Sequence, residues 1–194
     1  MSSRAQILAR VKENQPDLTV LPADLIALVQ YADPVEMFGK VLDGIGGMMH
    51  PVKDYAEMIG LINTQFAGLP RIISTIPELK ELTEKDWENQ DPHSYENVDV
   101  AIIKAHFGVA ENAALWVTES LMGQRVIPFI CQQLVVVVHK KDILSNMQEA
   151  YQQIADSVYG FGAFIAGPSK TADIEQSLVL GAHGPKNMTV FVLA

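Results

Sequence analysis

The stretch QLVVVV, residues 133–138, is the feature that most constrains the fold of this chain. It is almost continuously apolar and β-branched, whereas a strand with one face in water alternates apolar and polar residues. Such a run is typical of a strand buried on both faces of a parallel sheet. Shorter apolar runs on either side of it alternate with helical patterns. The sequence therefore predicts an α/β fold, a layered α/β/α domain with a mostly parallel sheet.

The other elements follow from apolar periodicity and from helix caps. In DPVE, Asp33 is placed to cap a helix with Pro34 at its first position, and Gly46-Gly47 after it predicts a left-handed C-cap rather than a phosphate loop. Further helices are predicted at the N-terminus, from Asp54, from Asp142 and over residues 171–180. The predicted strands are MMHPV, RIISTI, VDVAII, ALWVTE, QLVVVV, FGAFIAG and MTVFVLA, with a long surface loop over residues 83–97.

The composition of the chain limits the classes of protein to which it can belong. The 194 residues, 48% hydrophobic and 19% charged, suit one domain over residues 1–194. A net charge of −9 argues against nucleic-acid binding. The longest aliphatic run is too short for a membrane span and no signal peptide is evident, so a cytoplasmic protein is expected. Cys131 is predicted to be a buried thiol, and no histidine pair has metal-ligand spacing, so neither a metal nor a cofactor is expected in this chain.

The segment GPSKT, residues 167–171, is the first candidate site. If it joins a strand to a helix, its backbone N–H groups and the hydroxyls of Ser169 and Thr171 can hold an anion. The alternative is an ordinary capped helix, because Asp173 and Glu175 already complement the positive end of the helix dipole. His183, on a predicted tight loop with glycine on both sides, is either a hydrogen-bonding ligand residue or a turn residue without a role.

The second candidate is Glu111 in FGVAENAALW, at a predicted turn between two apolar strands. A partly desolvated carboxylate in such a place has a raised pKa and can act as acid, base or nucleophile. The alternative is that Glu111 only anchors the turn.

These two segments carry a resemblance. GPSKTADIEQSLVLGAHGP resembles the C-terminal motif of the lactate-utilisation (LUD) domain family, and FGVAENAALW is similar to that family's second motif. The resemblance extends to the opening SSRAQILARVK and to GIGGMMHPV, and so covers nearly the whole chain. It implies a CoA-transferase-like α/β fold, in which a Glu-Asn-Gly turn carries the catalytic glutamate. Glu111 and Asn112 match this turn, but Ala113 stands where glycine is expected, and a Cβ there hinders a turn with positive φ.

The resemblance implies a component of a multi-protein system that oxidises L-lactate to pyruvate. In this interpretation the chain is a non-redox subunit that binds a small polar ligand or organic acid, and the iron–sulfur clusters belong to partner proteins. The alternatives are a stand-alone acyl- or CoA-transferase-like or acid–base enzyme acting through Glu111, and a scaffold. If the two motifs form one site, Glu111 is its catalytic residue. The predicted ligand-binding residues are then Asn112, Gly167, Pro168, Ser169, Thr171, Asp173, Glu175, His183 and Gly184.

Overall fold

The computed structural model describes residues 2–19, 28–172 and 178–194. The α-helices in these ranges are α1 (Ser3–Glu13), α2 (Pro34–Gly44), α3 (Tyr55–Gln65), α4 (Glu119–Met122), α5 (Ile127–Ile130) and α6 (Met147–Ile154). The strands are β1 (Met48–Val52), β2 (Ile72–Ser74), β3 (Val100–Lys104), β4 (Phe107–Val109), β5 (Ala114–Thr118), β6 (Gln133–His139), β7 (Ile143–Leu144), β8 (Gly162–Ile165), β9 (Lys170–Ala172), β10 (Leu178–Leu180) and β11 (Asn187–Leu193).

Five strands form a central parallel sheet in the order β1-β11-β6-β3-β2. The predicted α/β fold with a mostly parallel sheet is confirmed, and QLVVVV lies in the middle strand, where residues 134–138 are buried. A second sheet has the order β7-β4-β5-β8 and mixes parallel with antiparallel pairs. This second sheet was not predicted from the sequence. A short antiparallel pair, β9 with β10, completes the strands.

The core lies in successive layers. One face of the parallel sheet packs against α3 through Met58, Ile62 and Phe66. The other face packs against α2 and the inner face of the four-stranded sheet. The outer face of that second sheet is covered by α6, with Phe107 and Trp116 packed against Ile154. Each central strand therefore contributes to two apolar layers, which explains its lack of polar alternation.

Both ends of α2 have the caps that the sequence predicts. The Asp33 carboxylate accepts hydrogen bonds from the N–H groups of residues 35 and 36, both at 3.0 Å. At the other end the Gly47 N–H donates to Leu42 O and the Gly46 N–H donates to Asp43 O, both at 2.9 Å, while Gly46 has φ +85°. This Schellman arrangement confirms the predicted left-handed C-cap.

Two predicted helices differ from the structure. The helix expected from Asp142 is present as α6 but starts later, because residues 143–144 pair with β4 as strand β7 and Asn146 caps α6. Residues 171–172 and 178–180, expected in a helix over 171–180, lie in strands β9 and β10, which pair with each other. In both places pairing with another strand overrides the local helical pattern. Residues 173–177 lie outside the described residues.

The predicted surface loop over residues 83–97 is more ordered than expected. It contains the 3₁₀ turns Trp87–Asn89 and Pro92–Tyr95, and the side chains of Trp87 and Tyr95 are buried. The guanidinium of Arg71, which precedes β2, donates hydrogen bonds to three side chains of this segment: Glu84, Gln90 and Asn97. By contrast, the predicted N-terminal helix α1 forms but buries none of its residues.

Candidate functional site

The two ends of the C-terminal motif meet at Ser169. The Ser169 N–H donates a hydrogen bond to Pro185 O at 2.9 Å, and the Gly181 N–H donates to Ser169 O at 3.1 Å. A methyl group added at Gly184 would approach the Ser169 Cβ to 3.0 Å, which is closer than side-chain carbons normally come. The Gly-Pro-Ser and His-Gly-Pro segments are therefore two sides of one packed turn.

The same turn packs against the end of α2. Gly167 has φ +69°, and a Cβ at this position would lie 3.1 Å from Ile45 O. The Lys170 ammonium donates a hydrogen bond to that same carbonyl. Gly167 and Pro168 are buried, whereas Ser169 and Thr171 are half-buried. Gly167 and Pro168 thus hold the backbone of the turn against the end of α2. The polar side chains of Ser169 and Thr171 reach the surface.

Other predicted ligand residues have different positions. His183 is exposed in the turn beside Gly184. Thr171 does not start a helix, as was expected, but lies in β9 opposite Val179. Asp173 and Glu175 lie outside the described residues. A helix N-terminus that could hold an anion at GPSKT is therefore not formed at Thr171, and that prediction is wrong.

The neighbours of the turn show at which edge of the parallel sheet it lies. The turn contacts Ile45 and Gly46, which lead into β1, and Pro185, which leads into β11. These residues precede strands, so the motif lies at the amino edge of the parallel sheet. Ligands of open α/β sheets usually lie at the carboxyl edge.

Glu111 anchors α6. Its carboxylate oxygen Oε1 accepts a hydrogen bond from the Met147 N–H at 3.0 Å, and its own N–H donates to Ser145 O at 3.2 Å. Met147 is the first residue of α6, where backbone N–H groups lack partners within the helix. Glu111 is exposed, so the expected partly desolvated carboxylate is not found. A carboxylate at a helix N-terminus is electrostatically favourable.

The turn after Glu111 is tight. The Asn112 Oδ1 accepts a hydrogen bond from the Ala114 N–H at 3.0 Å, and Ala113 has φ +54°. The expectation that a Cβ at Ala113 would hinder a turn with positive φ is thus corrected: the alanine adopts it while fully buried. Residues with a Cβ pay about 1–2 kcal/mol for this conformation.

The two motifs share one edge of the four-stranded sheet. Strand β4 leads into Glu111 and β8 leads into Gly167, and both run antiparallel to β5 between them. Two interstrand spacings separate the ends of β4 and β8, or about 10 Å. Their contacts differ, however, since Glu111 bonds to α6 and Gly167 packs on the end of α2. A single site formed by both motifs stays a prediction.

A chain of polar side chains around His106 was not predicted from the sequence. The His106 Nε2 lies 2.8 Å from the Thr118 Oγ1, which lies 2.8 Å from the Ser120 Oγ. Pairing of β4 with β5 sets Phe107 opposite Trp116, and the His106 N–H donates a hydrogen bond to Trp116 O at 2.9 Å, so that His106 lies beside Thr118. Trp116 and Thr118, two positions apart in β5, share a face of the strand, and this spacing was the available signal.

A family model for the LUD domain matches residues 53–193, which include both motifs. The chain belongs to the LUD domain family.

Relatives of this LUD domain carry one name. The chain is 30% identical over 104 residues to "Lactate utilization protein C" of Oceanobacillus iheyensis, covering 50% of this chain and 45% of the relative. It is 28% identical over 172 residues to the protein of that name from Bacillus subtilis, covering 70% and 72% of the two chains. The chain therefore spans about half the length of the first relative and more of the second.

A solved structure has the same fold. A crystal structure of a DUF162 family protein from Deinococcus radiodurans superposes with a TM-score of 0.65 at 17% sequence identity. The superposition covers 86% of this chain and 100% of that chain. At this identity the likeness shows the α/β layered fold.

Cys131 is buried, as predicted, and burial raises its pKa to about 12.

Within residues 2–19, 28–172 and 178–194, no helix combines the length and apolar composition that a bilayer crossing requires. The same ranges contain no group of three or more His, Cys, Asp or Glu side chains arranged to hold a metal ion.

Proposed function

We propose that this LUD domain is a lactate utilisation protein C-like component of a cytoplasmic, multi-protein system that oxidises L-lactate to pyruvate. Its role there is to bind a small polar ligand or organic acid, while iron–sulfur partner proteins carry the electrons. Family membership and the shared name of the relatives support the first part.

The observation that carries the binding role is the contact of Ser169 with Gly184 and Pro185. Two motif segments that are about fifteen residues apart in sequence pack into one turn, and this packing uses their backbone and their glycines. The half-buried hydroxyls of Ser169 and Thr171 and the exposed His183 are not needed for that packing. Polar side chains held at a surface by a rigid backbone are suited to hydrogen-bond a carboxylate or hydroxyl group.

The test is a purification from cells grown on L-lactate, with an affinity tag on the full chain. We expect iron–sulfur proteins to co-purify, with visible absorption in the complex and none in the isolated chain. The same purification from cells grown on glucose is the control for non-specific capture. A tagged protein that elutes without iron–sulfur partners from lactate-grown cells would contradict the subunit role.

The alternative, a stand-alone enzyme acting through Glu111, needs its carboxylate to be free for chemistry. In the structure this carboxylate bonds to the Met147 N–H at the start of α6, which favours an anchoring role. Growth on L-lactate separates the two roles when it is compared with stability. A Glu111→Gln variant that melts normally but no longer supports growth would favour the enzyme.

A further inference from the structure

A cleft opens between the end of β5 and the loop that follows α6. Its volume is about 480 Å³, within the range of pockets that hold small organic ligands. Three of its lining side chains are apolar and nearly buried: Phe107, Trp116 and Ile154, with exposed fractions of 2%, 7% and 8%. An apolar floor of this kind suits the body of an organic molecule rather than a hydrated ion.

One side of the cleft is polar. His106, Thr118 and Ser120 line it and form the hydrogen-bonded chain described above, which we call the hydroxyl relay. Thr118 is buried, whereas His106 and Ser120 on either side of it are exposed, so both ends of the relay reach the surface of the cleft. Partial desolvation in the cleft lowers the pKa of His106, which favours the neutral imidazole. A neutral imidazole and two hydroxyls can both donate and accept hydrogen bonds.

The charge of the cleft is already balanced. Among its lining residues, Glu119 is the carboxylate, and it pairs with the Arg125 guanidinium at 2.5 Å. A charged ligand would lose hydration without finding an unpaired opposite charge in the lining. The cleft therefore favours an uncharged ligand.

Gly160 and an aromatic pair shape the opposite wall. A methyl group at Gly160 would collide with the Glu119 carboxylate. Trp116 meets Tyr159 edge-to-face, with ring centroids 5.2 Å apart at 79°. Beside Tyr159, which is 43% exposed, Val158 is fully exposed at the cleft mouth. Apolar residues thus surround the entrance as well as the floor, and flat apolar rings pack well against aromatic faces and edges.

We infer that this cleft binds an uncharged aromatic or heteroaromatic ring, with an oxygen or nitrogen of the ring or its substituent hydrogen-bonded to the hydroxyl relay. The inference stands apart from the proposed role in lactate oxidation, because the cleft contains none of the residues of the C-terminal motif.

A matched pair of probes tests both the place and the charge. Quinoline-3-carboxamide is neutral and quinoline-3-carboxylate is its anionic counterpart. Each is titrated into the full-length protein, and the two indole N–H resonances of Trp116 and Trp87 are followed by NMR. We expect the amide to shift Trp116 and leave Trp87 unchanged, and the carboxylate to bind at least about tenfold more weakly, since burying its charge costs free energy.

Substitutions in the cleft test whether the amide binds there. Ser120→Leu and Ser157→Leu fill the cleft from its two sides, and both serines are exposed. We expect each to weaken binding of the amide by about tenfold or more through loss of space, and Ser120→Leu also removes a hydrogen-bonding group of the relay. Ser3→Leu, on the exposed helix α1, is the matched control and should bind as the wild type does. The inference is overturned if the amide does not shift the Trp116 resonance, if it shifts Trp87 instead, or if the carboxylate binds as tightly as the amide. It is also overturned if both cleft variants retain the wild-type spectrum and bind the amide with wild-type affinity.

Discussion

The carboxylate of Glu111 accepts a hydrogen bond from the Met147 N–H at 3.0 Å and thereby closes the first turn of α6 from another part of the chain. Glu111, for which the sequence resemblance suggested a catalytic role, thus makes a structural contact. Stability measurements can separate this structural role from chemistry.

Glu111→Ala should destabilise the fold by about 1 kcal/mol, the usual cost of losing a side-chain acceptor at a helix N-terminus. Glu111→Gln keeps an acceptor oxygen and should cost less. Urea denaturation measures both, with Glu81→Ala as the matched control at another exposed glutamate. A surface change of that kind stays within about 0.5 kcal/mol. If Glu111→Ala is as stable as the control, the anchoring role is wrong.

Ala113 should respond to glycine differently from its neighbour Ala114. Both alanines are buried, but Ala113 has φ +54° whereas Ala114 lies in β5. Ala114→Gly should cost about 1 kcal/mol or more through lost packing and added chain entropy. At Ala113 the relief of a conformation that costs about 1–2 kcal/mol offsets that loss. Thermal unfolding of the two variants should therefore differ clearly, and equal losses would argue against a strained turn.

The contact between Gly184 and Ser169 predicts a coupled pair. Gly184→Ala should destabilise by about 1–3 kcal/mol, because its methyl group would approach the Ser169 Cβ to 3.0 Å. Ser169→Gly removes that Cβ and should recover part of the loss in the double variant. Gly60→Ala, in α3 with open space around the added methyl, is the control and should be neutral or stabilising. Strictly additive effects would contradict the packed turn.

The interaction of Arg71 with Glu84 makes the free energy of unfolding depend on pH. Hydrogen bonds from Arg71 and Gln90 hold the pKa of Glu84 below its usual 4.5. A depressed folded-state pKa contributes stability that is present above about pH 4.5 and is lost as the pH falls through the folded value. Because Glu84 is about one-third exposed, the effect is modest, below about 1 kcal/mol. The stability difference between wild type and Glu84→Gln should therefore shrink from pH 6 to pH 3, and a constant difference would contradict this account.

The sequence predicted the elements whose signals are local. Asp33 and Gly46-Gly47 bound α2 because caps depend on neighbouring residues, and residues 134–138 show their double burial in composition. The sequence did not predict the elements that form by pairing with strands distant in the chain. Ile143 lies in a strand since it pairs with Gly108, and Thr171 lies in a strand since it pairs with Val179.

The candidate site was predicted in part for the same reason. The motif pattern singled out Ser169 and Gly184, which the structure brings into contact. His106 was not singled out, because its relation to Thr118 exists only once β4 and β5 pair. Contacts of that kind depend on sheet register, which the motif pattern does not specify.

The most direct test of the central claim is growth of the source organism on L-lactate after deletion of the gene for this chain. The proposed role predicts that the deletion strain grows on pyruvate but not on L-lactate, and that the intact gene restores growth on L-lactate. Pyruvate is the control, because it enters metabolism after the proposed step. Normal growth of the deletion strain on L-lactate as the sole carbon source would contradict the proposed role.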